Sequence, residues 1–453
     1  MAENVPEDVT RATIDIATSL VEAAKRAGAS DADAIVVSSA SDMIGVADAK
    51  LEEAERAESV DLGLRVLIGQ RQACVSSSNP DPAVIEEMVA RAMAIAAEAP
   101  EDPHCGLLDP GDVTAKERDL DLLDPTVPPD AQALEHLALE AEAAALAVAD
   151  VTQVESASAM AARTGISLAA SNGFAGSYAR TTFALSVSAI AGSGLGRERD
   201  WASESRRHFA DLPGAVEIGT KAGQRAAERL SPRRPPAGSY PVLYDVRVAP
   251  GLIRHLLSAI NGSAVARGAS WLREAMGEAV LPKGISLIDD PLTLRGLSSS
   301  PFDAEGVAAR RQHLVEDGVL KSWVLDAATA RKLDMVTTGH ARRGTTSPPS
   351  PGISNVTMET AAIPRDELIR QIGTGLIVTS MIGSSVNATT GAYSRGASGF
   401  WVEGGEIAYP VNEITVAGQL PEIMQTIQPA DDAEPHRSLR VPSLLVEGLT
   451  IGA

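Results

Sequence analysis

Aromatic side chains are scarce in this chain: five Phe, five Tyr and four Trp among 453 residues. Most of the packing therefore falls to Val, Ile, Leu and Ala, and wherever aromatics cluster they stand out. Cysteine is nearly missing. Cys74 and Cys105 are too few for a secreted disulfide framework and too far apart for a thiolate metal site, so two idle thiols in a reducing compartment are expected. Positive charge is also short, with 39 Lys and Arg against 60 Asp and Glu, a formal charge of −21. Such a balance repels phosphate backbones and anionic lipid, which excludes nucleic-acid and membrane binding as the main task. No apolar run approaches the ~20 residues that span a bilayer. The stretch Met1–Thr10 is acidic and has no apolar signal core, so a cytoplasmic location is expected.

Several chemical motifs are missing too. The seven histidines are scattered, and even the nearest pair, His313 and His340, cannot share a helical turn. No Gly-x-Ser-x-Gly elbow supports a nucleophilic serine. Gly192-Ser193-Gly194-Leu195-Gly196 lacks the third-glycine spacing of a dinucleotide loop and runs into charged residues, so it reads as a turn. The pairs Asp289-Asp290 and Asp303/Glu305 read as surface charge without a partner to tune them.

What is present is a long series of α and β patterns. Asp8–Ala27 carries apolar residues at helical period. Ala34–Val37, Ser41–Leu51 and Ser59–Val75 read as strands, the last with Val60, Leu62, Leu64, Val66 and Ile68 in alternation. Helices are expected at Pro82–Ala99, Asp130–Asp150 and Gly214–Leu230, with a Pro- and Asp-rich surface loop over Pro100–Pro129. Ser171-Asn172-Gly173 joins strands at Ile166–Ala170 and Gly176–Ala189 as a tight turn. The prolines of Ser231–Pro236 break any element and mark a boundary. Beyond it come a strand at Ser239–Tyr244, a short helix at Pro250–Asn261, hairpins across Asp317-Gly318 and Gly404-Gly405, and a helix at Arg365–Ile372. The expected class is α+β: an N-terminal mixed α/β domain over residues 1–235 and a β-rich C-terminal domain over 236–453.

One segment invites a functional reading. Gly391–Glu403 is glycine-spaced and concentrates Tyr393, Arg395, Phe400 and Trp401 in an aromatic-poor chain. Glycines permit close backbone approach, and aromatics with Arg are enriched where partners dock; the competing reading is a glycine-rich segment entering a core hairpin. Tyr393, Ser394, Arg395, Gly396 and Trp401 are the candidate substrate or partner contacts.

At this segment the chain resembles the PmbA (TldE) side of the TldD/PmbA family. The resemblance rests on Tyr393–Glu403 followed by Gly405-Glu406-Ile407 and Tyr409-Pro410-Val411. It rests also on Ser300–Val307, Asp317–Leu320, Ala330–Leu333, Thr338–Ala341 and Gly373–Thr379, in order over roughly 236–420. It implies a pair of subunits engaged in proteolysis of small or unfolded peptides, in which the TldD-like partner holds zinc through His-Glu-x-x-x-His and a later Cys. Here the matching helix reads Arg254-His255-Leu256-Leu257-Ser258-Ala259-Ile260. His255 stands at a degenerate metal-motif position, Leu256 replaces the glutamate and Ile260 the second histidine. The resemblance thus implies no catalytic residue and no cofactor in this chain, with zinc expected in the TldD-like partner. The implied assembly is a heterodimer, or alternatively a homodimer that binds peptide without activity of its own. An extended peptide would add to a sheet edge near the glycine-spaced stretch.

Overall fold

The computed structural model describes residues 5–113 and 118–452, so the first four residues of the acidic N-terminal stretch and the middle of the Pro100–Pro129 loop lie outside the described residues. The N-terminal half is one antiparallel sheet built from six strands: β1 (Asp31–Ala47), β2 (Lys50–Ile68), β3 (Arg71–Ser77), β4 (Val151–Ala170), β5 (Ala175–Ala191) and β6 (Glu198–Arg206). Their order is β3-β2-β1-β4-β5-β6. Four helices lie on one face. α1 (Val5–Arg26) and α2 (Pro82–Glu98) cover Ala34, Val36, Leu62, Leu64 and Val66. α3 (Ala131–Leu146) and α4 (Ala215–Ala227) cover Ile44, Val46, Ala157, Ala159, Ala161 and Leu185.

Helix ends fall where the sequence supplies partners. Asp130 accepts from the Ala133 amide and opens α3, and Pro82 starts α2 where its missing N–H costs nothing. α3 and α4 pack so closely that a methyl on Gly219 would collide with the Ala141 carbonyl. That closeness explains why β4 was illegible before residue 166. Its inward positions beneath α3 are alanines, which carry little strand signal but leave room for the helices. β1 likewise forms one continuous strand through Ser38–Ser41, where two were expected. There β2 and β4 supply a ladder on both sides that propensity does not reveal.

The C-terminal half is organised around a closed barrel of β7 (Gly238–Tyr244), β14 (Gly375–Val386), β15 (Ala392–Glu403), β16 (Glu406–Gln419) and β19 (Leu444–Gly452). β16 pairs back onto β19 to complete the ring, and β17 (Gln428–Pro429) extends β19. A second sheet has the order β10 (Val319–Leu320), β9 (Gln312–Glu316), β8 (Ser286–Asp289), β13 (Val356–Glu359), β18 (Leu439–Arg440). β11 (Ala341–Arg342) and β12 (Ser350–Pro351) form a small ribbon. Both expected hairpin turns adopt positive φ, at Asp317-Gly318 (48° and 81°) and Gly404-Gly405 (60° and 79°).

α5 (Ala249–Ala259) begins just beyond β7, and α6 (Gly262–Ala266) and α7 (Ala327–Lys332) follow along the chain. α8 (Arg365–Ile372) covers Leu243, Ile377 and Leu445 on the outside of the barrel, and α9 (Leu420–Thr426) packs on β16 and β19. The class is α+β, as expected. Among the described residues no helix is long and apolar enough to cross a membrane.

Candidate functional site

The face of α5 that misses the core defines the site. Leu252, Ile253, Leu256 and Leu257 point into the core they share with the barrel interior. Gly251, Arg254, His255 and Ser258 recur at helical spacing on the other side and line two concavities in succession. The first, about 680 Å³, lies where β6, the end of α4, α5 and β14 meet. The second, about 360 Å³, continues past His255 and Ser258 to Trp271, Val386 and Ala388.

β14 forms the opposite wall, and its hydrogen bonding is incomplete there. β7 pairs with β14 only at Leu376, Ile377 and Val378, because β7 ends at Tyr244. From Thr379 to Val386 the described residues offer β14 a partner strand, β15, on one side only. Unpaired backbone groups therefore face the trough, which is what an extended peptide needs in order to add as a further strand. Ile382 is exposed on this segment, and the Thr379 hydroxyl is buried without a hydrogen-bond partner.

The sequence-derived contact residues divide. Arg395 reaches the first concavity. Tyr393 is 3% exposed; its ring meets the His255 ring edge-on at 5.8 Å and its hydroxyl donates to Met381 Sδ at 3.4 Å. Burial pushes the Tyr393 phenol up and the His255 imidazole down, the latter helped by the charges of Arg395 and Arg254. Ser394 and Gly396 are ladder residues between β14 and β16, Gly396 close to the Ile382 carbonyl. Trp401, expected as a contact, reaches neither concavity: it is 1% exposed inside the barrel, edge-on to Tyr240 at 4.9 Å. The glycine-spaced stretch lies next to the open edge without forming it. It lies in β15, which has strands on both sides, so the open edge belongs to its neighbour β14. Its glycines serve the barrel: a Cβ at Gly399 would overlap the Ile377 carbonyl. The signal for the open edge was the short β7, which ends at Tyr244 while β14 continues to Val386.

The acidic pairs are a second correction, for they are not surface charge. Asp289 is fully buried, accepts twice from the Ser354 amide at 3.0 Å and lies 3.0 Å from His340 Nε2. His340 Nδ1 meets the Thr338 hydroxyl at 2.8 Å. That chain of Asp, His and Thr resembles a catalytic relay, but His340 is 3% exposed and lines neither concavity, so its work is structural.

Asp303 is buried and accepts from the amides of Glu305, Val307 and Ala341 at 2.9, 2.9 and 3.1 Å. Glu305 shows some surface, yet its carboxyl end is enclosed and accepts from the Ala327 amide at 2.8 Å. Burial first, then the neighbouring Asp303 charge, pushes its pKa up to about 8. Ser300–Val307 thus makes a junction between the halves, with Phe302 packed edge-on to Phe174 at 5.1 Å and Tyr178 at 5.5 Å.

A catalytic zinc needs three or more protein ligands and a base to activate water. At α5 the only such donor side chain is His255. Leu256 and Ile260, which replace the other motif residues, are fully buried hydrocarbon. No group of three His, Cys, Asp or Glu gathers anywhere among the described residues. The donor set does not fit zinc. Cys74 and Cys105 are free, and burial raises both thiols.

A helix-covered antiparallel sheet joined to a closed barrel, with a trough along an open strand edge, defines the architecture, and the family comparisons agree with it. The chain belongs to the PmbA/TldA metallopeptidase family: domain 1 matches at residues 32–96, the central domain at 123–230 and the C-terminal domain at 237–453. It is 36% identical to the metalloprotease PmbA of Escherichia coli O157:H7, over 86% of this chain and 85% of that one. It is 35% identical to the PmbA homologue of Haemophilus influenzae, over 95% and 94%. Among solved structures, TldE from Thermococcus kodakarensis superposes with a TM-score of 0.84 at 19% identity, covering 97% of this chain and all of that one, a likeness of fold. Metalloprotease TldD homologues match more distantly, at 26–27% over about half the chain.

Proposed function

We propose that this chain is the non-metallated subunit of a TldD/PmbA-type metallopeptidase that trims or degrades small or unfolded peptides. In this reading a TldD-like partner supplies zinc and hydrolysis, and this chain helps hold the peptide extended. The observation that carries the reading is the pairing of an open β14 edge with an α5 whose motif positions are hydrocarbon. Strand addition uses backbone groups that every peptide offers, so it tolerates varied sequences, as degradation of unfolded chains requires.

The test is to mix this chain with a TldD-like subunit bearing His-Glu-x-x-x-His and to follow hydrolysis of an unstructured peptide. Activity should rise on mixing, and a peptide N-methylated at alternate residues should resist cleavage. No gain on mixing removes the subunit reading. A second reading, a homodimer that binds peptide without hydrolysis, is favoured by the fact that the open β14 edge lies wholly within this one chain. Peptide binding by the isolated chain together with a dimeric mass would select it.

A further inference from the structure

The first concavity is charged against the sign of the whole protein. Five arginines and two carboxylates, Glu198 and Asp200, line it in a chain of net charge −21. Most of that charge is internally spent. Arg229 lies 3.5 Å from both Glu198 and Asp200, Arg247 lies 3.1 Å from Asp200, and Arg199 pairs with Glu155 outside the cavity. Two guanidiniums remain. Among the described residues Arg254 on α5 and Arg395 on β15 have no carboxylate partner, and the buried Arg395 Nε has no hydrogen bond.

Arg254 is exposed, whereas Arg395 is half-buried, and its enclosed Nε is costly to leave empty unless a ligand completes it. These two groups come from different elements and face the same cavity, directly beside the open edge of β14 at Thr379–Ile382. Resting on the peptide-trough reading above, we propose that Arg254 and Arg395 form a carboxylate subsite at one end of the trough, which fixes the register of a bound peptide by capturing an acidic group. Planar guanidiniums suit a carboxylate through paired N–H donation. Strand addition alone sets no register, because every peptide backbone offers the same groups two residues on. A charged anchor supplies what the edge lacks. The carboxylate is either the peptide's C-terminus or a Glu or Asp side chain.

Fluorescence anisotropy of the full chain with N-terminally labelled eight-residue peptides rich in Ala, Val, Thr and Ser separates these cases. A free C-terminal acid, its C-terminal amide and an amide carrying one internal Glu are the three probes. At least one carboxylate-bearing probe should bind about tenfold more tightly than the neutral amide. Which one does so identifies the source of the carboxylate. Arg395→Met and Arg254→Met should each bring the ratio of acid to amide affinity down to about one; Arg395→Lys should keep part of the preference. Thermal melts of each variant separate lost recognition from lost folding. Equal binding of all three probes overturns the carboxylate subsite and leaves the trough standing. Absence of binding by every probe overturns the trough and the subsite with it.

Discussion

At the scale of single residues, the buried carboxylates carry the clearest chemistry. Glu305 holds its proton to about pH 8 in the folded chain, whereas an unfolded glutamate releases it near pH 4.3. Between those values the unfolded state loses a proton that the folded state keeps, so this group's contribution to stability falls as pH rises. Glu305→Gln keeps an acceptor for the Ala327 amide and removes the titration. Its stability should match the parent near pH 4 and exceed it increasingly toward pH 9, by roughly 5 kcal/mol, read as a higher melting temperature. A constant offset across that range would show that the carboxyl does not titrate there. Asp289 differs, because its oxygens are fully used by the Ser354 amide and His340. Asp289→Ala should cost about 3 kcal/mol in denaturant unfolding, since it strands buried partners, yet leave peptide binding intact in the folded fraction. Loss of binding at unchanged stability would mean that the Asp-His-Thr chain serves the site.

At the scale of elements, legibility followed side-chain chemistry. β2 and α1 were readable because Val, Leu and Ile fall at clean periods, and both hairpin turns because Asp-Gly and Gly-Gly accept positive φ. The first part of β4 was not, since its buried positions had to be alanine. β19 was hidden as well: Leu444–Val446 is a short apolar run near the chain end, and only its pairing with β7 and β16 makes it the strand that closes the barrel. The segment Tyr393–Gly399 was visible as unusual, but its purpose was divided between packing and site in a way that spacing cannot reveal. Gly399 is on the packing side. Gly399→Ala would force β15 away from Ile377 and should cost about 2–4 kcal/mol, read as a lowered denaturation midpoint. Because the shift would propagate to Arg395, carboxylate preference should fall with it. A Gly399→Ala variant as stable as the parent would mean that β14 and β15 are less tightly apposed.

At the scale of the molecule, the two halves are stitched mainly by arginine. Arg343 from the C-terminal half reaches Asp33 on β1, which also pairs with Arg65. Burial opposes the Asp33 charge, but the two guanidiniums hold its pKa below the usual carboxylate range. Arg207 spans from β6 to the carbonyls of Gly296 and Leu297, and Arg331 donates to those of His104, Gly106 and Leu107 at 3.1, 3.2 and 2.6 Å. Guanidinium suits this task because it stays charged when buried; even Arg207, pushed down to about 10, remains cationic at neutral pH.

These contacts bear on function because the first concavity has walls from both halves: Glu198–Trp201 on β6 from one, Arg254 and Arg395 from the other. Removing the stitches should therefore loosen the site before it unfolds either half. Arg343→Met combined with Arg207→Met leaves Asp33 paired with Arg65, so neither half keeps an orphaned carboxylate. Scanning calorimetry of this double variant should resolve two transitions where the parent gives one, and its preference for acidic over amidated peptide should weaken below the first transition. A single transition at lowered temperature would instead assign the coupling to the apolar plug of Phe302 against Phe174 and Tyr178, and Phe302→Ala would then be the variant that separates the halves.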